Sequence, residues 1–152
     1  MRERKDRIDD ALHATQAALQ EGIIPGGGVA YIRCLAALEK LRADVAVEDE
    51  KTGVDILRKA IESPLRTIVE NCGKEAGFIL QKVKEGKKDY GYNARTEQFE
   101  NLLKTGVIDP VKVVRIALEN ASSIAGLLLT TEVTIALTET VANGPFGQIL
   151  EA

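Results

Sequence analysis

The chain has 152 residues, a hydrophobic fraction of 45% and a formal net charge of −3. This length is typical of one domain or of a piece of a larger protein, and the apolar fraction is sufficient for a core. Aromatic residues make up 4% and Trp is absent, so the core is expected to be aliphatic and helical. The negative charge argues against a nucleic-acid partner. No apolar run reaches the roughly 20 residues that a membrane helix needs.

The two cysteines indicate a reducing compartment, and the chain start does not resemble a secretory signal. The first ten residues, MRERKDRIDD, contain no apolar stretch and are not expected to act as a secretory signal. Cys34 and Cys72 lie far apart on apolar faces and lack the C-x-x-C spacing. We therefore expect two buried thiols rather than a disulfide or a metal site.

The first half of the chain is predicted to be helical. Apolar and Ala residues recur at helical spacing over residues 3–21, and Gly22 is placed to end that helix. Pro25 and the glycines at 26–28 are predicted to begin a second helix, which carries apolar residues as far as Leu41. The remaining helices of this half are predicted over residues 50–63, 64–71 and 74–84.

After these helices the pattern changes. Residues 86–96 are rich in turn formers, and Tyr90 and Tyr92 alternate around Gly91, which predicts a small β-hairpin. Residues 96–103 are predicted to form a short helix, although their capping box lacks the acid at its fourth position.

A long helix and a strand are predicted towards the end of the chain. Asp109 is expected to be the N-cap of a helix that has Pro110 in its first position, reaches about Leu129 and buries a broad apolar face. Residues 131–141 alternate β-branched and polar side chains, which predicts a strand. This strand has no strong partner within the chain, and a loose tail is expected after it.

Three groups of residues have both a structural and a functional interpretation. Gly26 to Gly28 lack the Lys-Ser/Thr pair of a Walker loop, so they either allow close packing or bring backbone to a nucleotide at a helix N-terminus. Asp9 and Asp10 form a solvated acidic face, or one of them serves as a general base or a metal-associated carboxylate. Asp109 can cap a helix and can also accept a hydrogen bond from a ribose hydroxyl. The residues taken singly leave these alternatives open.

Taken together, several segments resemble the group I (GroEL-type) chaperonins. Residues 17–28, AALQEGIIPGGG, match the family signature and follow Asp10 in the sequence DALHAT as they do in that family. The motifs YGYNA, GVIDP, AGL and TTE then occur in the family's order. The resemblance covers residues 5 to about 133, nearly without gaps.

The resemblance implies a mainly α fold, which is an equatorial-domain-like helical bundle with a small β-hairpin and a C-terminal strand. Residues 1–20 would be the last helix of the intermediate domain, residues 21–136 the C-terminal half of the equatorial, ATP-binding domain, and residues 137–152 a divergent tail. On this interpretation the chain is a C-terminal fragment. The apical domain and the equatorial half with the phosphate-binding loops would be missing.

The resemblance also implies a nucleotide site, because the equatorial domain of this family binds ATP with Mg²⁺ and K⁺. By motif match, Gly27, Asn93, Ala94 and Arg95 would lie against the nucleotide, although Arg95 stands where better-known members carry a small residue. Asp109 would accept hydrogen bonds from the ribose hydroxyls. No residue of this chain is expected to ligate the metal ions.

A catalytic acid and a hinge are implied as well. Asp10 would orient and activate the attacking water when the intermediate domain closes, which fits the positioning logic of phosphoryl transfer. The bend from Gly22 to Pro25 would be the hinge between this acid and the nucleotide.

The expected function is therefore that of a part of an ATP-dependent chaperonin, which assists protein folding by nucleotide-driven cycling of a ring. Its expected partners are other subunits of a homo-oligomeric double ring. Unfolded client proteins and a lid co-chaperonin would bind through the missing apical domain, in the cytoplasm. Without the phosphate loops, the fragment alone is expected not to hydrolyse ATP and to bind ATP, Mg²⁺ and K⁺ at most weakly. The alternative is a non-catalytic helical scaffold that self-associates and does not bind nucleotide.

Overall fold

The computed structural model describes residues 2–135, and within them the chain forms seven helices and four short strands. The described residues divide into two units, with the boundary between Ile116 and Ala117. In chain order the elements are α1 (Arg2–Glu21), β1 (Ile23–Pro25), α2 (Val29–Arg33), α3 (Leu35–Asp44), α4 (Glu48–Ala60), α5 (Ser63–Asn71), α6 (Ala76–Glu85), β2 (Tyr90–Asn93), β3 (Gln98–Asn101), β4 (Ile108–Pro110) and α7 (Val111–Thr130).

The helical pattern of the first half of the chain is confirmed, as is the mainly α fold class. Gly22 follows α1 with a φ of 87°, and its N–H donates to the carbonyl of Ala18 at 2.8 Å, as expected of a glycine that ends a helix. The predicted second helix is divided at Cys34, whose N–H reaches back three residues to the carbonyl of Tyr31 at 3.0 Å. This tighter turn separates α2 from α3.

The apolar core of the first unit is formed by α2, α5, α6 and the β2–β3 hairpin. It depends on two glycines. A Cβ at Gly28, where φ is 76°, would lie 2.7 Å from the backbone N of Leu65, and a Cβ at Gly91 would lie 2.5 Å from Cγ2 of Val29. These glycines therefore let α5 and α2 approach their neighbours closely. The core residues are Val29, Ile32, Leu65, Val69, Ala76, Ile79, Leu80, Val83, Tyr92 and Leu102.

The predicted hairpin is confirmed, but it extends over residues that were predicted to be helical. β2 and β3 are antiparallel, with Tyr90 opposite Asn101 and Asn93 opposite Gln98. The short helix predicted at 96–103 is therefore wrong. Pairing with β2 prevails over the weak helix signal, because it brings the rings of Tyr92 and Phe99 to 5.2 Å.

The guanidinium of Arg33 anchors this hairpin to the helices. It donates to the carbonyls of Val83 at 2.8 Å, Lys88 at 2.9 Å and Tyr90 at 2.6 Å. Burial lowers the pKa of Arg33 from its ordinary value. The three carbonyls provide the acceptors that a partly buried cation requires.

Asp109 is not the N-cap that the sequence predicted. It lies in β4, which pairs antiparallel with β1 so that Ile24 faces Asp109. α7 begins after β4, at Val111, whose N–H donates to the carbonyl of Gly22 at 3.1 Å. Asp109 thus belongs to a strand pair between distant parts of the chain, although the local sequence predicted a helix start at this residue.

The broad buried face predicted for α7 is also wrong, because none of its residues is buried. Ile124 and Leu128, which were predicted to face inward, are exposed. Periodicity identified an apolar face, but it did not identify what covers that face.

By its length and composition alone, α7 could cross a membrane, contrary to the expectation that no apolar run is long enough to do so. Arg115 and Glu119 lie within it and would be costly in a bilayer, so the indication is weak.

Two further predictions concern the end of the chain and the thiols. Of the strand predicted at 131–141, the described residues 131–135 are not in a strand, and residues 136–141 lie outside the described part, as does the predicted tail at 137–152. Both thiols, at Cys34 and Cys72, are free as predicted but exposed rather than buried. Each cysteine lies at a helix end, where the chain leaves the core.

Candidate functional site

The β1–β4 pair brings the glycine loop to Asp109. The N–H of Gly26, directly after β1, donates to the carbonyl of Val107 at 3.0 Å and extends the pairing beyond the strands. A Cβ at Gly26 would lie 3.3 Å from the carboxyl carbon of Asp109, which is tighter than ordinary contact. The absence of a side chain at Gly26 therefore gives the Asp109 carboxylate its place beside the loop.

The carboxylate of Asp109 is half-buried and has no side-chain hydrogen bond or ion pair with another residue between 2 and 135. Burial raises the pKa of Asp109 from its ordinary value. Burial also raises the pKa of Tyr31, and the nearby negative charge of Asp109 adds to this increase. A partly buried carboxylate without a partner is unfavourable unless a donor reaches it. This carboxylate is therefore suited to accept hydrogen bonds from the hydroxyls of a ligand.

The glycine loop also touches the β2–β3 hairpin. Gly27 has a φ of 66°, and a Cβ there would lie 3.7 Å from the carbonyl oxygen of Tyr92. The next residue, Asn93, is 7% exposed and lies directly before the turn of the hairpin. Ala94 packs against the core, whereas Arg95 is exposed on the turn. Gly27 and Asn93 thus come to neighbouring positions although they are far apart in the sequence.

The chain matches the family model of the TCP-1/cpn60 chaperonin family over residues 1–139. The protein belongs to this chaperonin family. Membership gives it a role as a chaperone in protein folding and implies assembly with other chaperonin subunits. The matched residues include the glycine loop, the hairpin turn and Asp109.

The structure of this chaperonin chain does not bring Asp10 to the glycine loop. Asp10 is exposed on α1, 12 residues before Gly22, which corresponds to about 18 Å along the helix axis. Its predicted role as the catalytic acid stays a prediction. Asp10 needs movement of α1 to reach a ligand held beside Gly27.

Polar contacts fix the end of α1 to the start of α7. Arg115 donates from Nη2 and Nε to the two carboxylate oxygens of Glu21, at 2.7 and 3.1 Å, and Lys112 donates to Gln20. The hydrogen bond from Arg115 lowers the pKa of Glu21. Most of the predicted hinge segment is paired in β1. Gly22 precedes it, and nothing lies within 4 Å of a Cβ built on it, although its carbonyl accepts the hydrogen bond from Val111.

Sequence reasoning did not find two features of the site. Gly26 was grouped with its neighbours, although it is the glycine that contacts Asp109. Glu100 was assigned to a helix, although it lies in β3 and accepts a hydrogen bond from Nδ2 of Asn93 at 2.6 Å. Aligning the hairpin around a four-residue turn would have placed Glu100 diagonal to Asn93 on one face of the pair. That alignment was the missing signal.

Metal ligands are a separate question. Within residues 2–135, no group of three or more His, Cys, Asp or Glu side chains could hold a metal ion. His13 is exposed on α1.

Proposed function

We propose that this chain supplies part of the nucleotide site of an ATP-dependent chaperonin subunit of group I, as the C-terminal part of its equatorial domain. The observation that carries the proposal is the half-buried carboxylate of Asp109, without a described partner, beside Gly26. In the proposed site, Asp109 accepts hydrogen bonds from the ribose hydroxyls. This arrangement gives the half-buried carboxylate hydrogen-bond donors from the ligand.

The remaining nucleotide contacts come from the glycine loop and the hairpin turn. The backbone at Gly27 lies against the nucleotide, because a residue without a side chain permits close approach. Asn93, the last residue of β2, follows Tyr92, whose carbonyl lies next to Gly27, and Ala94 begins the turn after it. Arg95 is exposed and has no ion pair with another residue of the described part of the chain, so its guanidinium is available to stack on a base or to approach a phosphate.

When the nucleotide is bound, Mg²⁺ and K⁺ would neutralise its phosphate charge, with ligands from outside this chain. We propose that Asp10 orients the attacking water after α1 has rotated about Gly22. This glycine has a φ of 87° and nothing within 4 Å of a Cβ built on it. The contacts of Glu21 and Gln20 with the start of α7 limit that rotation and must move or break during closure.

The wider role proposed is cycling of a cytoplasmic ring that folds client proteins, with clients and a lid co-chaperonin bound by parts of the subunit outside this chain. The phosphate-binding loops also lie outside it. We therefore expect no ATP turnover by the purified chain. Turnover that Asp10→Ala abolishes would contradict this expectation.

The proposal is tested by calorimetric titration of the purified chain with MgADP. The wild type is expected to bind weakly, and Asp109→Asn is expected to bind on the order of tenfold more weakly, because a charged acceptor is lost. Asp44→Asn, which changes an exposed carboxylate on α3, is the matched control and is expected to bind like the wild type. Equal binding by Asp109→Asn and the wild type would contradict the assigned role. Absence of wild-type binding would favour the self-associating scaffold.

Loss of binding by Asp109→Asn can be separated from unfolding. Because the folded-state pKa of Asp109 is raised, its ionised form opposes folding above that pKa, and the cost disappears as the pH falls. At neutral pH, Asp109→Asn is therefore expected to be at least as stable as the wild type. A thermal melt of the variant, run beside the titration, checks this.

A further inference from the structure

The carboxylate of Glu100 accepts hydrogen bonds from the residue before the hairpin turn and from a residue within it. Nδ2 of Asn93, directly before the turn, donates to Oε1 of Glu100 at 2.6 Å. The hydroxyl of Thr96, within the turn, donates to the same oxygen at 3.4 Å. One acceptor thus connects the residue that enters the turn with a residue three positions later. A hydrogen bond of this length to a charged acceptor is among the stronger ones in proteins.

Glu100 also determines which way the amide of Asn93 points. Oδ1 of Asn93 accepts a hydrogen bond from the backbone N–H of Arg95 at 3.0 Å. A carboxylate can only accept, so the amide must present its NH₂ to Glu100 and its oxygen to Arg95. A reversed amide would oppose two acceptors at one end and two donors at the other. Because Asn93 is 7% exposed, water cannot readily satisfy the reversed arrangement.

The strand register makes this contact possible. Glu100 lies opposite Gly91, and Gln98 lies opposite Asn93, so the side chain of Glu100 is on the same face as that of Asn93. Gly91, opposite Glu100, has no side chain. A Cβ there would clash with Val29 and would lie 2.6 Å from Cδ1 of Leu102. The long side chain of Glu100 can therefore reach the diagonal neighbour.

We propose that Glu100 is a positioning residue for the turn that faces the nucleotide. It fixes the amide of Asn93, which holds the backbone N–H of Arg95, and it thereby sets where Asn93 and Ala94 meet the ligand. The inference rests on the proposed function for the ligand, but the hydrogen-bond network itself can be tested without any nucleotide.

The first test measures hydrogen exchange of the Arg95 amide by NMR on the full chain without nucleotide. Glu100→Ala removes the charged acceptor of the Asn93 amide, so this amide no longer holds the N–H of Arg95 in place. The exchange of the Arg95 amide is therefore expected to accelerate about tenfold or more. Glu100→Gln retains an acceptor oxygen and is expected to restore most of the protection. Glu97→Ala removes a carboxylate from the same turn whose ion pair with Lys74 is exposed, and it is expected to behave like the wild type.

The protein must stay folded for this comparison. The amide of Leu102, which donates to the carbonyl of Asp89 at 2.9 Å, reports on the hairpin and should keep its protection. Unchanged exchange at Arg95 in Glu100→Ala would overturn the proposal. If Glu100→Ala does not fold, Glu100→Gln is used instead. Its neutral acceptor is expected to move the NMR signals of the Asn93 side-chain amide protons upfield. Unchanged chemical shifts of these protons would overturn the proposal.

The second test is a titration with MgADP, followed at the same amides. Glu100→Ala is expected to bind on the order of tenfold more weakly than the wild type, with binding largely recovered by Glu100→Gln. Equal binding by Glu100→Ala despite faster exchange at Arg95 would show that the network does not position the ligand, and the proposal would fall. No shift in the wild type would instead contradict the nucleotide site, and the exchange data would still decide whether Glu100 orders the turn.

Discussion

The short elements between Val29 and Leu102 contain the apolar core cluster, whereas the two longest helices, α1 and α7, contribute no residue to it within the described part of the chain. The core elements include helices of five to ten residues and strands of four. α1 and α7 have 20 residues each. Length and apolar content therefore do not determine which elements form the core of this chain.

The core elements and the two long helices are held in place by different kinds of contact. The core elements contact residues far away in sequence through tightly packed apolar side chains and glycines. The end of α1 is held by exposed polar contacts from Arg115 and Lys112 and by the β1–β4 pair that follows it. Surface contacts of this type contribute little to stability, whereas buried packing contributes most of it. Moving parts are generally drawn from the weakly held regions of a protein.

The largest expected effect comes from removing core volume. Leu102→Ala deletes a side chain that is 0% exposed and is expected to lower the free energy of unfolding by about 3 kcal/mol, because a cavity remains. Leu127→Ala makes the same deletion in α7, where the side chain is 67% exposed, and should change stability by less than about 0.5 kcal/mol. Urea denaturation of both variants measures the contrast. Similar losses in the two would show that α7 is covered by other protein in solution.

A smaller effect is expected at the glycine that brings α2 to α5. Gly28→Ala places a Cβ 2.7 Å from the backbone of Leu65 at a φ of 76° and is expected to cost about 2 kcal/mol. Gly53→Ala, in α4 with nothing within 4 Å, is the matched control and should stabilise the chain by about 0.5 kcal/mol. Thermal unfolding of the two variants gives the comparison. A stable Gly28→Ala would indicate that the close approach is not required.

The smallest expected effect concerns the polar attachment of α1. Arg115 lowers the pKa of Glu21, so the pair contributes stability above the unfolded-state pKa of a glutamate, and the contribution is lost as the pH falls through the lower folded-state pKa. Glu21→Gln is expected to be slightly less stable than the wild type at pH 7 and equal to it in strong acid. Glu39→Gln, an exposed change on α3, should show no such pH dependence. Denaturation midpoints across the acid range decide between these outcomes.

Much of the candidate site could be predicted from the sequence, because its motifs match a family over most of the chain. Gly27, Asn93 and Asp109 were predicted to share a nucleotide site, and that role stays a prediction. The structure places Gly27 beside Tyr92, the neighbour of Asn93, and Gly26 beside Asp109. Gly26 and Glu100 could not be named. Their roles depend on strand pairs that join distant segments, and no local pattern at either residue specifies its partner.

The sequence alone determined where the helices of the first half of the chain occur, because helical periodicity, Gly and Pro act over a few residues. It also determined the hairpin around Gly91, since alternation and turn formers are local signals. Only the tertiary structure decided that residues 98–101 form a strand, that Asp109 belongs to β4 and that α7 presents an exposed apolar face. Each of these outcomes depends on which distant surface a segment meets or does not meet, and the free energy of that contact outweighs local propensity.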